Sequence, residues 1–544
     1  MKKLLFALLT VLVSCSSNVE KDSILQLRLR MPNTFNEESW HALYQAIREN
    51  AGCCDEVWFS TGIDLPPMDV HREHVRRLLR AKEDLSGTGV TSSVQIQMTL
   101  GHGDPGATPS QWGAKTWRGW TGSNGTEDLY CNCPRQPEFL EYLREMTRLY
   151  AGIEPRRMWI DDDLRYDNHL PASKDSRAGC WCETCLAEFS AAEGRNWTRE
   201  ALDKAMAADA ALEERWKQFS MESLVRIARI ITEETLAVSP GTRMGYQKTF
   251  SSRDTTVVRE ILKTLAEASG NKVSYRPGGG NYYDNLHPAG QIIKSMEAAR
   301  FMRELACPEI VEIWCPEVES YPRHYASRTA QSVLLEGFSA LGFGADAVSM
   351  FVLDSGEESI EVQSRSMLHP ISRGARVLRE YARANKGTKP AGFVSDAGNA
   401  AMFSLALSGI PVLPGDGLRL GTLPEDMPGM TELNNRTSSQ IQDIRNSLPG
   451  SPVLCTSPFI GMVIPRVDAD GAIRTLGLIN CRIDFQSDIR FKLPGLPEGT
   501  KHAVWRELKK KAVRLKIRHT EDGTAYVEVP GIDAWNAGFL EFPI

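Results

Sequence analysis

The chain has 544 residues, 42% of them hydrophobic and 24% charged, with a formal net charge of −6. That length exceeds one ordinary core and implies two or three domains, in the composition range of soluble globular proteins. The mild acidity excludes a global basic field, so nucleic acid is not an expected partner, and Lys509-Lys510-Lys511 reads as one solvated face.

The N-terminus opens with Lys2-Lys3 and an apolar run from Leu4 to Val13, which ends in Leu12-Val13-Ser14-Cys15. That tetrapeptide resembles a bacterial lipobox. It implies a lipoprotein signal peptide over 1–15, with Cys15 lipidated and the mature chain exported to the outer membrane, periplasm or cell surface. The lipid would be the membrane contact, because the apolar run is too short to span a bilayer as a helix.

From 22 to 386, short β-rich runs alternate with amphipathic helical stretches. The β-like runs are 24–31, 56–61, 93–100, 157–163, 243–249, 272–276, 311–317 and 347–354. Helix-like segments between them include 40–50, 137–149, 198–237, 255–268, 289–305 and 327–341. Eight such units predict an α/β fold, a (β/α)₈ TIM barrel with its site at the C-terminal strand ends. An open doubly wound sheet is the alternative, but no Gly-x-Gly-x-x-Gly opens a helix after the first strand. Residues 387–456 read as a small flavodoxin-like α/β domain with a Pro- and Gly-rich middle. Turn signals such as Asp468-Ala-Asp-Gly471 and Asp522-Gly523 make 457–544 an antiparallel β-sandwich.

The acids at two strand ends carry the chemistry. Strand four, Met158-Trp-Ile, stops at Asp161, Asp162 and Asp163, and strand seven ends with Glu317 and Glu319. A barrel brings these tops to opposite sides of one pocket, and two facing carboxylates are the parts of a glycosidase. Asp161–Asp163 also suit a divalent ion. Arg30, His102, Asp104, Arg165, His169, Gln247, Tyr275, Arg276 and Asp354 also follow or end barrel strands and are candidate pocket liners. A tyrosine among them could donate to the nucleophilic carboxylate and keep it ionised. Trp112, Trp117 and Trp120 either stack on sugars or pack their loop down.

Cys180, Cys182 and Cys185 form C-x-C-x-x-C, and three thiolates need a fourth ligand to close a tetrahedral zinc site. Cys133 is the best candidate, with Cys131 behind it. A thioredoxin-like redox pair is the rival, without the fold to support it. A closed four-thiolate site would be structural, so no cofactor is expected for catalysis.

At these residues the chain resembles the clan A glycoside hydrolases, in particular the family 42 β-galactosidases. Asp161-Asp162-Asp163 stands where that family has Asp-Asn-Glu, whose last member is the acid/base. Cys180-Trp-Cys-Glu-Thr-Cys-Leu-Ala-Glu-Phe189 matches the family's cysteine segment. Cys133-Pro134 followed by Pro137-Glu-Phe139 matches its upstream element, and Gly344-Ala-Asp346 is also similar. The resemblance implies a barrel, a small domain associated with trimerisation and hence a homotrimer, then a β-module. An aspartate at the acid/base position resembles family 164, founded on a β-mannosidase. The mapping implies Asp163 as acid/base, Glu317 as nucleophile with Glu319 as its alternative, and Asp162 at the sugar's 2-hydroxyl.

The expected function is a retaining exo-acting glycosidase cleaving terminal β-linked hexose from oligosaccharides, β-mannosides before β-galactosides. The rivals are a catalytically inactive carbohydrate-binding lipoprotein and a metal-dependent hydrolase using Asp161–Asp163.

Overall fold

The computed structural model describes residues 23–63, 65–102, 116–166, 176–249, 255–284, 288–324, 326–353, 358–395, 399–423 and 435–543. Barrel strands one to six are Leu25–Arg28, Glu56–Ser60, Thr91–Ile96, Arg157–Ile160, Arg243–Thr249 and Val273–Gly278. Strand seven is split into Val311–Trp314 and Glu317–Glu319, and strand eight is Val348–Phe351. All are parallel and adjacent in chain order, with strand one paired to both two and eight.

The ring closes through the split strand. Its first half pairs with strand six and its second with strand eight. Pro316, at the break, has no N–H to give a ladder. The neighbours keep the joint: Cys315 N–H donates to the Tyr275 carbonyl, and Ser349 N–H to that of Pro316.

Alternation along the strands fills the interior in layers. At the N-terminal end, Arg157 Nη1 lies 3.1 Å from Glu56 Oε2, and Ser93 Oγ also donates to Glu56. Above them Trp58 and Trp159 stack with centroids 4.1 Å apart, beside Cys315 and Ala347. Gly245 is required there, because a Cβ would lie 2.4 Å from the Trp159 ring. The next layer is polar: Arg28, Gln95, Asp161, Arg276 and Glu317.

The helix Ala330–Gly342 is buried at every position but Gln331. Mostly apolar, with Glu336 paired to Lys294 and Arg328, it lies between the barrel and a seven-stranded C-terminal sheet. One face of that sheet (Ile464, Ile479, Phe539) joins the barrel core. The other (Leu476, Leu478, Leu540) packs with Ile489, Phe491 and Val527 of a four-stranded sheet, completing the β-sandwich.

Between barrel and sandwich, Lys389–Val394 and Leu418–Thr422 pair in parallel, and Lys389–Val394 also pairs antiparallel with Gly461–Val467. The α/β segment is therefore continuous with the sandwich sheet. Beside these strands, Val412 adds only a bridge to Phe393. The single long helix expected over 198–237 is two, Arg199–Met206 and Ala210–Val238. Asp209 separates them, its side chain accepting from Ala211 and Leu212 N–H.

The helices Met68–Ser86 and Pro137–Ala151 are joined by buried histidines. His71 bonds Tyr150 and Tyr142 at 3.0 and 2.8 Å, and His74 bonds Tyr150 and Thr34 at 2.9 Å each. Burial pushes His71 down to about 4, and burial, His71 and Arg77 push His74 down to about 3. The folded state holds both neutral, whereas the unfolded chain takes up protons below about 6.5. Unfolding stability therefore falls as pH drops from 6.5 towards 4. Urea melts across that range test this. A His71→Gln variant with an unchanged slope would refute the assignment.

Candidate active site

Strand four ends at Ile160, and Asp161 N–H still follows the ladder to the Ile96 carbonyl. Its side chain therefore points into the barrel. Gln95 Nε2 donates to Asp161 Oδ1 at 2.7 Å, and Arg28 Nη2 and Arg276 Nη2 stand 3.5 and 3.9 Å from the same oxygen. Across the barrel, Glu317 Oε1 takes Arg28 Nη1 and Arg276 Nη1, both at 2.7 Å. Its Oε2 accepts Gly279 N–H at 3.0 Å and the Tyr282 hydroxyl at 3.5 Å. Two guanidiniums thus lie between the acids of strands four and seven, touching both.

The environments separate the acids. Burial, then Asp162 and Asp163, raise the Asp161 carboxyl well above the usual range. Burial also works upward on Glu317, but Arg276, Arg28 and Lys294 prevail and hold it at about 2. Glu319 is pushed up to about 7, by burial and then by Glu317. Asp162 is half-buried, and although desolvation works upward on it, Arg165, Arg276, Lys248 and Arg28 draw it below its ordinary value. One acid of the facing pair is favoured protonated and the other ionised, the asymmetry that acid/base chemistry requires.

Neither a family model nor a curated protein matches the sequence. Solved structures do. A β-galactosidase from Bacillus circulans sp. alkalophilus superposes with a TM-score of 0.56 at 12% identity, covering 96% of this chain and 99% of that one. A catalytic mutant of a family 42 β-galactosidase from G. stearothermophilus gives 0.55 at 10% identity, covering 96% and 98%. The chain shares its fold with these β-galactosidases.

Within this fold, the expected pocket residues divide. Arg276 faces the interior, its Nε donating to Gln247 Oε1 at 2.8 Å. Tyr275, expected to line the pocket, faces the other way. It lies in the core shared with the helices, against Phe301 and Tyr246. Adjacent residues of a strand point to opposite faces, so Arg276 inside puts Tyr275 outside. The tyrosine at Glu317 is instead Tyr282, from the loop after strand six. Glu317 first, and burial, raise its phenol pKa, so it remains a donor. Strand one delivers Arg28 to the acids, while Arg30 stands two residues on, its N–H bonded to Asn33 Oδ1.

Arg165 contacts Asp162 at 3.1 Å and Asp163 at 3.5 Å. His102 Nδ1 lies 3.0 Å from Asp163 Oδ1, and that bond raises the imidazole pKa. Glu319 pairs with Arg323 at 3.0 Å, and its carbonyl accepts Arg328 Nη1 at 2.6 Å. Trp117 and Trp120 are buried, their indole N–H groups bonded to Asn132 Oδ1 and the Gly179 carbonyl. Both pack their loop, and Trp120 also lines a cavity beside Arg165. His169, Asp354, Asp104, Trp112 and Cys15 lie outside the described residues.

Arg28, Gln95, Tyr282 and Lys294 were not singled out from the sequence. Arg28 had a signal, since alternation through Leu25-Gln-Leu-Arg28 puts Gln26 and Arg28 on one face. Tyr282 follows three consecutive glycines in a loop, where no period marks it. Gly278 just before is sterically required, because a Cβ would lie 1.9 Å from Arg276 Nη1 and 2.8 Å from Glu317 Oε2.

The sulfurs of Cys133, Cys180, Cys182 and Cys185 lie within 4.8 Å of one another, all buried. Cys133 is 3.4 Å from Cys182 and 3.5 Å from Cys185. Thr121 N–H approaches Cys180 at 3.5 Å, and Gln136 Nε2 approaches Cys182 at 3.9 Å. Cys131 is turned towards the Gly101 carbonyl, 3.6 Å away. The four thiols join the hairpin after strand three to the helix Glu183–Glu193, inside a shell of Trp120, Trp181, Phe189 and Trp216. Four converging sulfurs are a donor set that a tetrahedral thiophilic ion fits. Asp161–Asp163 also cluster within 4.8 Å, but arginines already stand against all three.

Proposed function

We propose that this chain is a retaining exo-acting β-glycosidase with Glu317 as nucleophile and Asp163 as acid/base. The observation that carries the reading is Glu317, a buried carboxylate kept ionised by Arg28 and Arg276, facing the strand-four acids at the C-terminal end of a barrel. In the first step Glu317 attacks the anomeric carbon, an ester to the enzyme forms, and the acid/base protonates the departing oxygen. In the second the same group takes a proton from water, which displaces Glu317 with net retention. His102 Nδ1 is within hydrogen-bond distance of Asp163 Oδ1 and orients that carboxyl group. Glu317 is preferred to Glu319 because a nucleophile must be ionised, and Glu319 sits near 7.

The candidate substrates are β-mannosides, from the aspartate at Asp163, and β-galactosides, from the names of the structural neighbours. A panel of aryl β-mannoside, β-galactoside and β-glucoside, with the product anomer read by NMR, tests the reading. Hydrolysis with inversion, or of none of the three, would remove it. The second reading, a carbohydrate-binding barrel without turnover, is favoured by the two contacts that tie Asp163 to His102 and Arg165. Saturable sugar binding with no product would establish it.

The thiol cluster is proposed to hold a structural zinc, through Cys133, Cys180, Cys182 and Cys185. Purified protein is expected to carry one zinc per chain. Cys185→Ser should lower the melting temperature by several degrees, while residual kcat of the folded fraction stays near wild type. Metal-free protein of unchanged stability would refute it.

A further inference from the structure

Next to the acids, the barrel face at the ends of strands four and five carries a separate cavity of about 510 Å³. That size falls in the ~300–1,000 Å³ range of small-molecule sites. Arg165, Arg177, Lys217 and Lys248 line it, with Ser220 and Tyr166. No aspartate or glutamate lines it among the described residues.

The acids that balance these cations stand behind them. Arg177 pairs with Asp203 at 2.6 Å and Glu213 at 3.5 Å, and Lys217 pairs with Glu213 at 3.4 Å. These pairs fix the cations and cancel much of their charge. A polyanion therefore gains little here, whereas a single anion meets oriented donors on several sides. Ser220 is 4% exposed, and its Oγ finds no hydrogen-bond partner. A buried hydroxyl without a partner in the cavity wall is a further donor for such a group.

Arg165 fixes where the cavity lies relative to the chemistry. It lines the cavity and also touches Asp162 and Asp163. A proton donor meets the leaving-group oxygen, so the space beyond Asp163 belongs to the leaving sugar.

We infer that this cavity binds the single carboxylate or sulfate ester of an acidic sugar on the leaving-group side of the substrate. The assignment of side rests on the glycosidase reading; the anion site does not.

The test is calorimetric titration of the full chain with D-glucuronate, D-glucose 6-sulfate and D-glucose at low salt. At least one acidic sugar should bind about tenfold more tightly than glucose, with the preference weakening as salt rises. Binding of glucuronate alone assigns the anion as carboxylate, and of the sulfate ester alone as sulfate. Lys217→Glu and, separately, Arg177→Gln, each with a wild-type melting temperature, should lose the preference. Equal binding of acidic and neutral sugars, or a preference that survives in both variants, overturns the proposal. Acidic-sugar binding without hydrolysis of any aryl glycoside would leave the cavity and sink the glycosidase. Hydrolysis without acidic preference would do the reverse.

Discussion

Replacement of Glu317 by alanine is expected to lower kcat on aryl β-glycosides on the order of 10³-fold or more, because the covalent step loses its attacking oxygen. Azide small enough to enter the vacated space should restore turnover and give the α-glycosyl azide, having attacked from the face Glu317 occupied. Removal of the acid/base has the opposite signature. There the glycosyl ester still forms, azide displaces Glu317, and the product is the β-glycosyl azide. Alanine variants at Asp161 and Asp163 therefore distinguish two roles for adjacent acids. Asp161 has the raised carboxyl and contacts with Gln95 and Arg28, while Asp163 is paired with His102. Whichever variant yields the β-azide is the proton donor. A fully active Glu317→Ala beside a dead Glu319→Ala would transfer the nucleophile to Glu319. If both remain active, the glycosidase reading ends.

The second large effect is expected at Arg276, 1% exposed and 2.7 Å from Glu317. Arg276→Met leaves a buried carboxylate short of one of its two guanidiniums. Breaking a buried pair from one side costs about 3–5 kcal/mol of stability. The pH dependence has a definite sign. Glu317 ionises at about 2 in the folded chain against an ordinary 4.5, so its ion pairs contribute stability above 4.5 that is lost as pH falls towards 2. In Arg276→Met that acid-side slope should shrink, and the acid limb of kcat/KM should move to higher pH as Glu317 becomes easier to protonate. Denaturant melts at several pH values, with the kcat/KM profile, provide the test. Wild-type stability together with an unmoved acid limb would show that Arg276 does not hold Glu317.

Much of the architecture was legible because strand and helix periods are local. The eight strand–helix units and the acids at the ends of strands four and seven follow from residues within a few positions of one another. So does the convergence of Cys180, Cys182 and Cys185, and Cys133 was named from its neighbours. Tyr275 shows the same rule overlooked, since a residue adjacent to the inward Arg276 has to face out. Tyr282 and Lys294 were beyond it. One lies in a glycine-rich loop and the other on a helix, and each matters only through its position near Glu317. The welding of Lys389–Val394 to Gly461–Val467 likewise depends on pairing across nearly 80 residues, Lys389 with Val467.

The sequence by itself determined that the acids after strand four and of strand seven are carried to the barrel mouth, because alternation along a strand and the stop of an apolar run are short-range properties. Only the tertiary structure decided what state those groups adopt. Glu317 is an anion because arginines from strands one and six outweigh its burial, whereas Asp161 leans to its acid form because burial and the neighbouring Asp162 and Asp163 outweigh the same arginines. Charge and desolvation act through space rather than along the chain, so the folded barrel fixes the protonation of its acids.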